Sequence, residues 1–160
     1  MTTALRIDWR RIVPEAVAAG VAGAILLHLY LWLTVLLPAH SSIFSYWQWI
    51  ASVSLGKIAL TSSGYAWIGL LVHLVVGIAW AGGYAFLATQ RQFVNRRWVV
   101  SGLVYGVVVY IFMQLILFSA NRFTFPATPN AFINDVIANA VFFGLPVAYV
   151  VSRMTRKSAV

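Results

Sequence analysis

Four apolar stretches, each long enough to cross a lipid bilayer, dominate this chain and leave little else that it could fold into. They run over Ile12–Leu37, Ala66–Ala88, Trp98–Ser119 and Phe132–Ser152. Each meets or exceeds the roughly 20 residues that a helix needs to cross a hydrocarbon core of about 30 Å. Of the 160 residues, 62% are hydrophobic and 9% charged, and the mean hydropathy is +0.88. A water-soluble domain of that length has too little interior to hide so much apolar surface. The expected fold class is therefore all-α: a polytopic membrane protein, one four-transmembrane-helix bundle.

The first run is too long for the apolar core of a cleavable signal peptide, so it reads as a span. Pro14 is expected in the first turn of its helix, where a missing N–H costs little. Pro38 follows that helix, and Pro126 and Pro129 punctuate the last loop. Pro146 falls inside the fourth run, where it should free the carbonyl of Phe142 and bend the helix.

The formal charge of +8 does not imply nucleic acid, because the basic residues form short clusters between apolar runs and no stripe. Arg6, Arg10 and Arg11 precede the first run. Arg91, Arg96 and Arg97 join the second to the third, and Arg153, Arg156 and Lys157 follow the fourth. Only Lys57 and Arg122 fall on the other side. Cytoplasmic loops retain positive charge, so both termini are expected in the cytoplasm. The stretch Ile43–Leu60 is apolar and aromatic enough to imitate a fifth span, but crossing there would reverse the charge pattern. Ser45, Gln48, Ser52 and Gly56 share one helical face, and Tyr46, Trp47 and Trp49 favour the headgroup level. An interfacial helix on the outer face is the expectation.

The two halves are similar. Ala16, Gly20, Ala24, His28 and Trp32 recur every fourth residue along the first run, as Gly102, Gly106, Tyr110 and Gln114 do along the third. The second run offers His73, Tyr84 and Arg91, and the fourth Asn139, Tyr149 and Arg153. A duplicated two-span hairpin, repeated about an axis near the membrane normal, would produce this pattern. Small residues at spacing four also let helix backbones approach closely, so these stripes should mark the faces that meet other helices.

The polar side chains carry the functional question. At 1.5 Å per residue, His28 and Gln114, each about 16 residues up an ascending helix, should share one level in the outer half of the membrane. His73 and Asn139, about seven residues down the descending ones, should join them. Asp135 lies one turn above Asn139. Polar groups in lipid face inward and find partners. His28, His73, Gln114, Asp135 and Asn139 are therefore the candidate ligand-binding set, and three readings remain open. They hydrogen-bond across helices and fix the bundle's register. Or they line a polar pocket for a small ligand, ion or proton. Or, most specifically, His28 and His73 hold a b-type haem, with Ala24 and Gly77 leaving room for the macrocycle. A zinc or copper site adding His40 and Asp135 is a variant of the second. Asp135 could accept from Arg122 or cap the fourth helix at its N-terminus, and Glu15 reads as a cap at the inner side.

The absence of cysteine excludes disulfides and thiolate chemistry. No Gly-rich phosphate loop, paired carboxylates or Ser/His/Asp set is present at a sensible depth, and Ser101 sits far from either histidine. An enzyme is not expected.

From His73, through Gly83-Tyr84 and Trp98 with Gly102 and Gly106, to the polar start of the fourth run at Asp135-Val136-Ile137-Ala138-Asn139, the chain resembles the YagU-type bacterial inner-membrane proteins. The likeness covers about Ala66–Arg153. That family's pattern has histidines where Gln114 and Asn139 stand here, while His73 and the acid at Asp135 are kept. The resemblance implies a multispan bundle in the bacterial inner membrane and brings no defined activity. An accessory or structural membrane protein is the expected function, as a homo-oligomer or part of a larger membrane complex in contact with lipid, with a binding or conduction module as the alternative.

Overall fold

The computed structural model describes residues 8–121 and 128–157. Arg6, Arg122 and Pro126 lie outside the described residues, as do the side chains of Arg156 and Lys157. Among the described residues there is no strand, and the chain is almost wholly helical. Helix α1 covers Trp9–Leu31 and widens into a π-helical end, Trp32–Leu36. Helix α2 is Ile43–Leu55, continued by a 3-10 turn, Gly56–Leu60. Helix α3 is Tyr65–Gln90, α4 the short Gln92–Arg96, and α5 Trp98–Ser119. The last segment is α6, Pro129–Ile137, a π-helical Ala138–Gly144, and α7, Leu145–Lys157. Four helical segments are long and apolar enough to cross a membrane: Trp9–Leu36, Tyr65–Gln90, Trp98–Ser119 and Pro129–Thr155. The chain is a multi-pass membrane protein.

The local chemistry explains most boundaries. Thr128 accepts from the Ala131 N–H as N-cap of α6, with Pro129 in the first turn. That cap is where Asp135 was expected; Asp135 instead stands six residues inside the helix. Pro14 also departs from expectation. Because α1 begins at Trp9, Pro14 lies beyond the first turn and removes an interior backbone bond. Both π-helical segments end two residues before a proline, Pro38 and Pro146. A proline offers no N–H to the carbonyl four residues back, and the wider i→i+5 pairing takes up the disruption without breaking the rod. The Leu37 N–H, for example, donates to the Trp32 carbonyl at 2.8 Å.

Packing follows the small-residue stripes. Helix α1 lies against α3 and against the π turn and α7; α5 lies against the π turn and α7; α2 lies along α3. At the α1–α3 crossing, a Cβ on Gly20 would sit 2.6 Å from the Ile78 Cα. At the α5 crossing, a Cβ on Gly106 would collide with the Asn139 carbonyl, and one on Gly144 with the Gly102 carbonyl. Between α1 and the π turn, a Cβ on Gly23 would lie 2.8 Å from the Phe143 ring. Helices α3 and α5 are joined instead by aromatic side chains: Tyr105 donates to the Trp80 carbonyl and packs against Tyr84, and Trp80 meets Phe112. The core at the arginine-rich end gathers Ile12, Ala85, Ala88, Val94 and Val151, so the linker helix α4 closes that end with Val94.

Helix α2 is bound more intimately than an element resting on a surface. A Cβ on Gly69 would collide with the Trp47 carbonyl, so the two backbones touch. Ser52, on the face it shares with Ser45, Gln48 and Gly56, is fully buried and donates to the Trp49 carbonyl. Gln48 on the same face ties the helix to its return, donating to the Ser62 carbonyl at 2.8 Å.

Glycine substitutions separate the tight crossing positions from the loose ones. Gly20→Ala and Gly106→Ala should each destabilise the detergent-solubilised protein by about 1–3 kcal/mol, as overpacking does. Gly77→Ala, whose Cβ would meet its nearest atom at an ordinary 3.6 Å, should be neutral. Thermal unfolding of the three variants against the parent measures the contrast.

Candidate functional site

Helices α1 and α3, held together at Gly20 and Gly77, bring His28 and His73 ring to ring. Their centroids are 4.3 Å apart with planes inclined at 58°. Helix α2 closes over them: Trp47 and Tyr46 meet the His28 ring edge-on at 6.0 and 5.8 Å. The His28 Nδ1 lies 2.8 Å from the Ala24 carbonyl, and its Nε2 lies 3.1 Å from the Trp47 Nε1. A carbonyl can only accept and an indole N–H can only donate. Nδ1 must therefore carry the proton and Nε2 the lone pair, which fixes a neutral imidazole with both nitrogens engaged. His73 differs, because neither of its nitrogens has a hydrogen-bond partner among the described residues. A shallow, open groove of about 330 Å³ is lined by His28, Leu29, Trp32 and Ile43.

The two histidines, as arranged, do not fit a haem between them. A bis-histidine haem stands between its two imidazoles, each pointing a nitrogen at the iron. Here the two rings touch, and the Nε2 of His28 points at Trp47, so no space for a macrocycle separates them. Among the described residues, no group of three or more His, Asp or Glu side chains could hold a metal ion; His40, in the loop after α1, is exposed at φ 50°.

The other candidates do not join the pair. The backbone carbonyl of Asn139 touches Gly106, so Asn139 is level with Gly106. Gln114 stands eight residues further along α5, about 12 Å at 1.5 Å per residue. The expected common level of Gln114 and Asn139 does not exist. It rested on counting from the helix ends, whereas the crossing point of the two helices sets their stagger. Asn139 turns its amide back onto the Asp135 carbonyl at 3.0 Å, one turn away. Gln114 is half-buried and joins neither group. Asp135 lies close enough to Tyr46 for its charge to be felt. Burial, with that carboxylate adding to it, pushes the Tyr46 hydroxyl up to about 12, so Tyr46 remains a neutral hydroxyl at physiological pH.

Two polar contacts were not anticipated. Tyr30 donates to the Asn134 Oδ1 at 2.6 Å, tying α1 to α6, and its ring stacks on Phe142 at 4.1 Å. Both residues carry polar groups inside apolar runs, so the signal was present, but nothing in the spacing pairs residues 104 positions apart. The second contact is at the opposite, arginine-rich end. Glu15 was expected to cap α1 and is instead buried between α1 and α7. Its Oε1 takes a 3.0 Å ion pair from the Arg11 Nε and accepts from the Thr155 Oγ1 at 3.3 Å. At the same end, the Arg153 guanidinium lies over the Tyr149 ring, which packs against Trp98.

No family model, no curated protein and no solved structure matches the chain.

The Tyr30–Asn134 bond should show as pairwise coupling. In a double-mutant cycle of Tyr30→Phe and Asn134→Ala, the expected interaction energy is about 0.5–1.5 kcal/mol, the range for hydrogen bonds between membrane helices. Unfolding free energies in detergent give the cycle, and additive effects would mean the bond contributes nothing.

Proposed function

We propose that this protein is a non-catalytic, accessory or structural component of a bacterial inner membrane, with both termini cytoplasmic, whose outer polar residues join helices to one another. The single observation carrying this reading is the engagement of both His28 nitrogens inside the protein, by Ala24 and Trp47. A side chain whose donor and acceptor are both satisfied by neighbouring backbone and side chain is acting as a helix fastener. The Tyr30–Asn134 bond has the same character. In the sequence, nine of the eleven basic residues precede the first span, join the second to the third or follow the fourth, which supports the cytoplasmic placement of those segments. The exposed apolar faces, such as Val100, Val104, Ile111 and Leu115 along α5, suit contact with lipid or with other helices in an oligomer or larger complex.

One feature favours a second reading, a small-ligand or proton-binding module: His73, in ring contact with His28, has two nitrogens with no hydrogen-bond partner among the described residues.

Substitution at the two histidines separates the readings. Purified wild-type protein should be colourless, without a Soret band. His28→Ala should lower stability by about 1–3 kcal/mol, because it orphans the Trp47 N–H. His73→Gln should keep the fold with little change in melting temperature. A bound small molecule or metal found by mass spectrometry in the parent and lost from a well-folded His73→Gln variant would displace the structural reading in favour of the second.

Placement is tested independently. The chain has no cysteine, so Gln92→Cys in the exposed linker α4 supplies a single thiol. Impermeant maleimide should label it only after the inner membrane is opened; labelling from the periplasm would refute the orientation.

A further inference from the structure

Glu15 is the only glutamate in the chain, and at 1% exposure it is among the most buried side chains in the fold. Its two oxygens are unequal. Oε1 takes both the Arg11 and the Thr155 bonds. Oε2 is buried and meets no donor among the described residues. Bare carboxylate oxygens are costly away from water, and buried polar atoms in folded proteins nearly always find a donor.

The surroundings indicate which donor fits. Arg11, at 31% side-chain exposure, connects Glu15 to the surface at the arginine-rich end. On α7, the Thr155 hydroxyl reaches the same seam, while the buried Ser152 donates to the Tyr149 carbonyl of its own helix. Helix α3 contributes Ala81, Ala85 and Ala88 to the core at this end, and the Tyr84 ring turns towards Tyr105. An anion is excluded by the lone pairs of Oε2, and a large solute by the burial. Water is small, donates, and needs two to four polar partners to be held inside a protein; Oε2, the Arg11 guanidinium and the Thr155 hydroxyl supply that number.

We propose that the seam between α1 and α7 is a hydration site, in which Glu15 Oε2 accepts a hydrogen bond from water that enters from the arginine-rich end past Arg11. The bundle is then wet at this end. This inference stands apart from the accessory reading, since it concerns the opposite end of the fold and none of the same residues.

Because Glu15 is the sole glutamate, it can be observed in the unmodified protein. Full-length chain made by cell-free synthesis with carbon-13 glutamate, and placed in bilayers, is measured by water-edited solid-state NMR. Magnetisation from water should reach the Glu15 δ-carbon several-fold faster than it reaches apolar core carbons. In Thr155→Val, nearly isosteric and expected to fold, the transfer should slow several-fold. A δ-carbon build-up as slow as the dry core in the parent would overturn the proposal. An unchanged rate in Thr155→Val would also overturn it, by removing the seam as the place where the water is held.

Discussion

Backbone-to-backbone contact at glycine is the constraint on which the rest of this fold depends. In water, burying apolar side chains would drive the helices together. In lipid the surroundings are as apolar as the side chains, so that force is missing and close van der Waals approach must replace it. Gly20 against Ile78, Gly102 and Gly106 against the π turn, and Gly69 against Trp47 provide that approach. Each removes a Cβ where the neighbouring backbone would otherwise be held off. The distances at these crossings leave no room for even one methyl group.

From those crossings the positions of the polar residues follow. Fixing α1 on α3 brings His28 against His73, and docking α2 at Gly69 brings Trp47 over His28, completing its hydrogen bonds. Fixing α5 on the π turn sets the stagger that separates Gln114 from Asn139. The π turns belong to the same mechanism. By absorbing the missing N–H of Pro146, the segment Ala138–Gly144 keeps the fourth span continuous while presenting Gly144 to α5 and Phe143 to α1. Where no glycine pair is available, between α3 and α5, the gap is filled by Trp80, Tyr84, Tyr105 and Phe112.

The two ends of the bundle handle buried polarity differently. Towards the α2 end, Tyr30, Asn134, His28 and Trp47 form matched donor–acceptor pairs. Towards the arginine-rich end, Glu15 Oε2 and the Asn95 Oδ1 are buried with no partner among the described residues. Matched pairs act as fasteners; unmatched acceptors are where a donor from outside the helices has a use.

The number of crossing segments, their approximate limits and the end that collects the arginines were legible from the chain alone. Hydropathy, length and charge are local properties, and each window of residues carries them regardless of what it touches. The glycine stripes were legible as contact faces for the same reason, since spacing four on a helix is geometry that needs no partner. What only the tertiary structure decided was partnership and stagger. Counting residues from helix ends placed Gln114 beside Asn139, but the Gly106 crossing sets the relative height of those helices and moves Gln114 away. The tilt and contact of the His28 and His73 rings, which do not fit a haem between them, depend on how α1, α2 and α3 dock. Glu15 looked like a terminal cap because it falls near the start of the first apolar run; its burial comes from α7, some 140 residues later. Contacts between such distant segments are properties of packing, and no local pattern in the sequence records them.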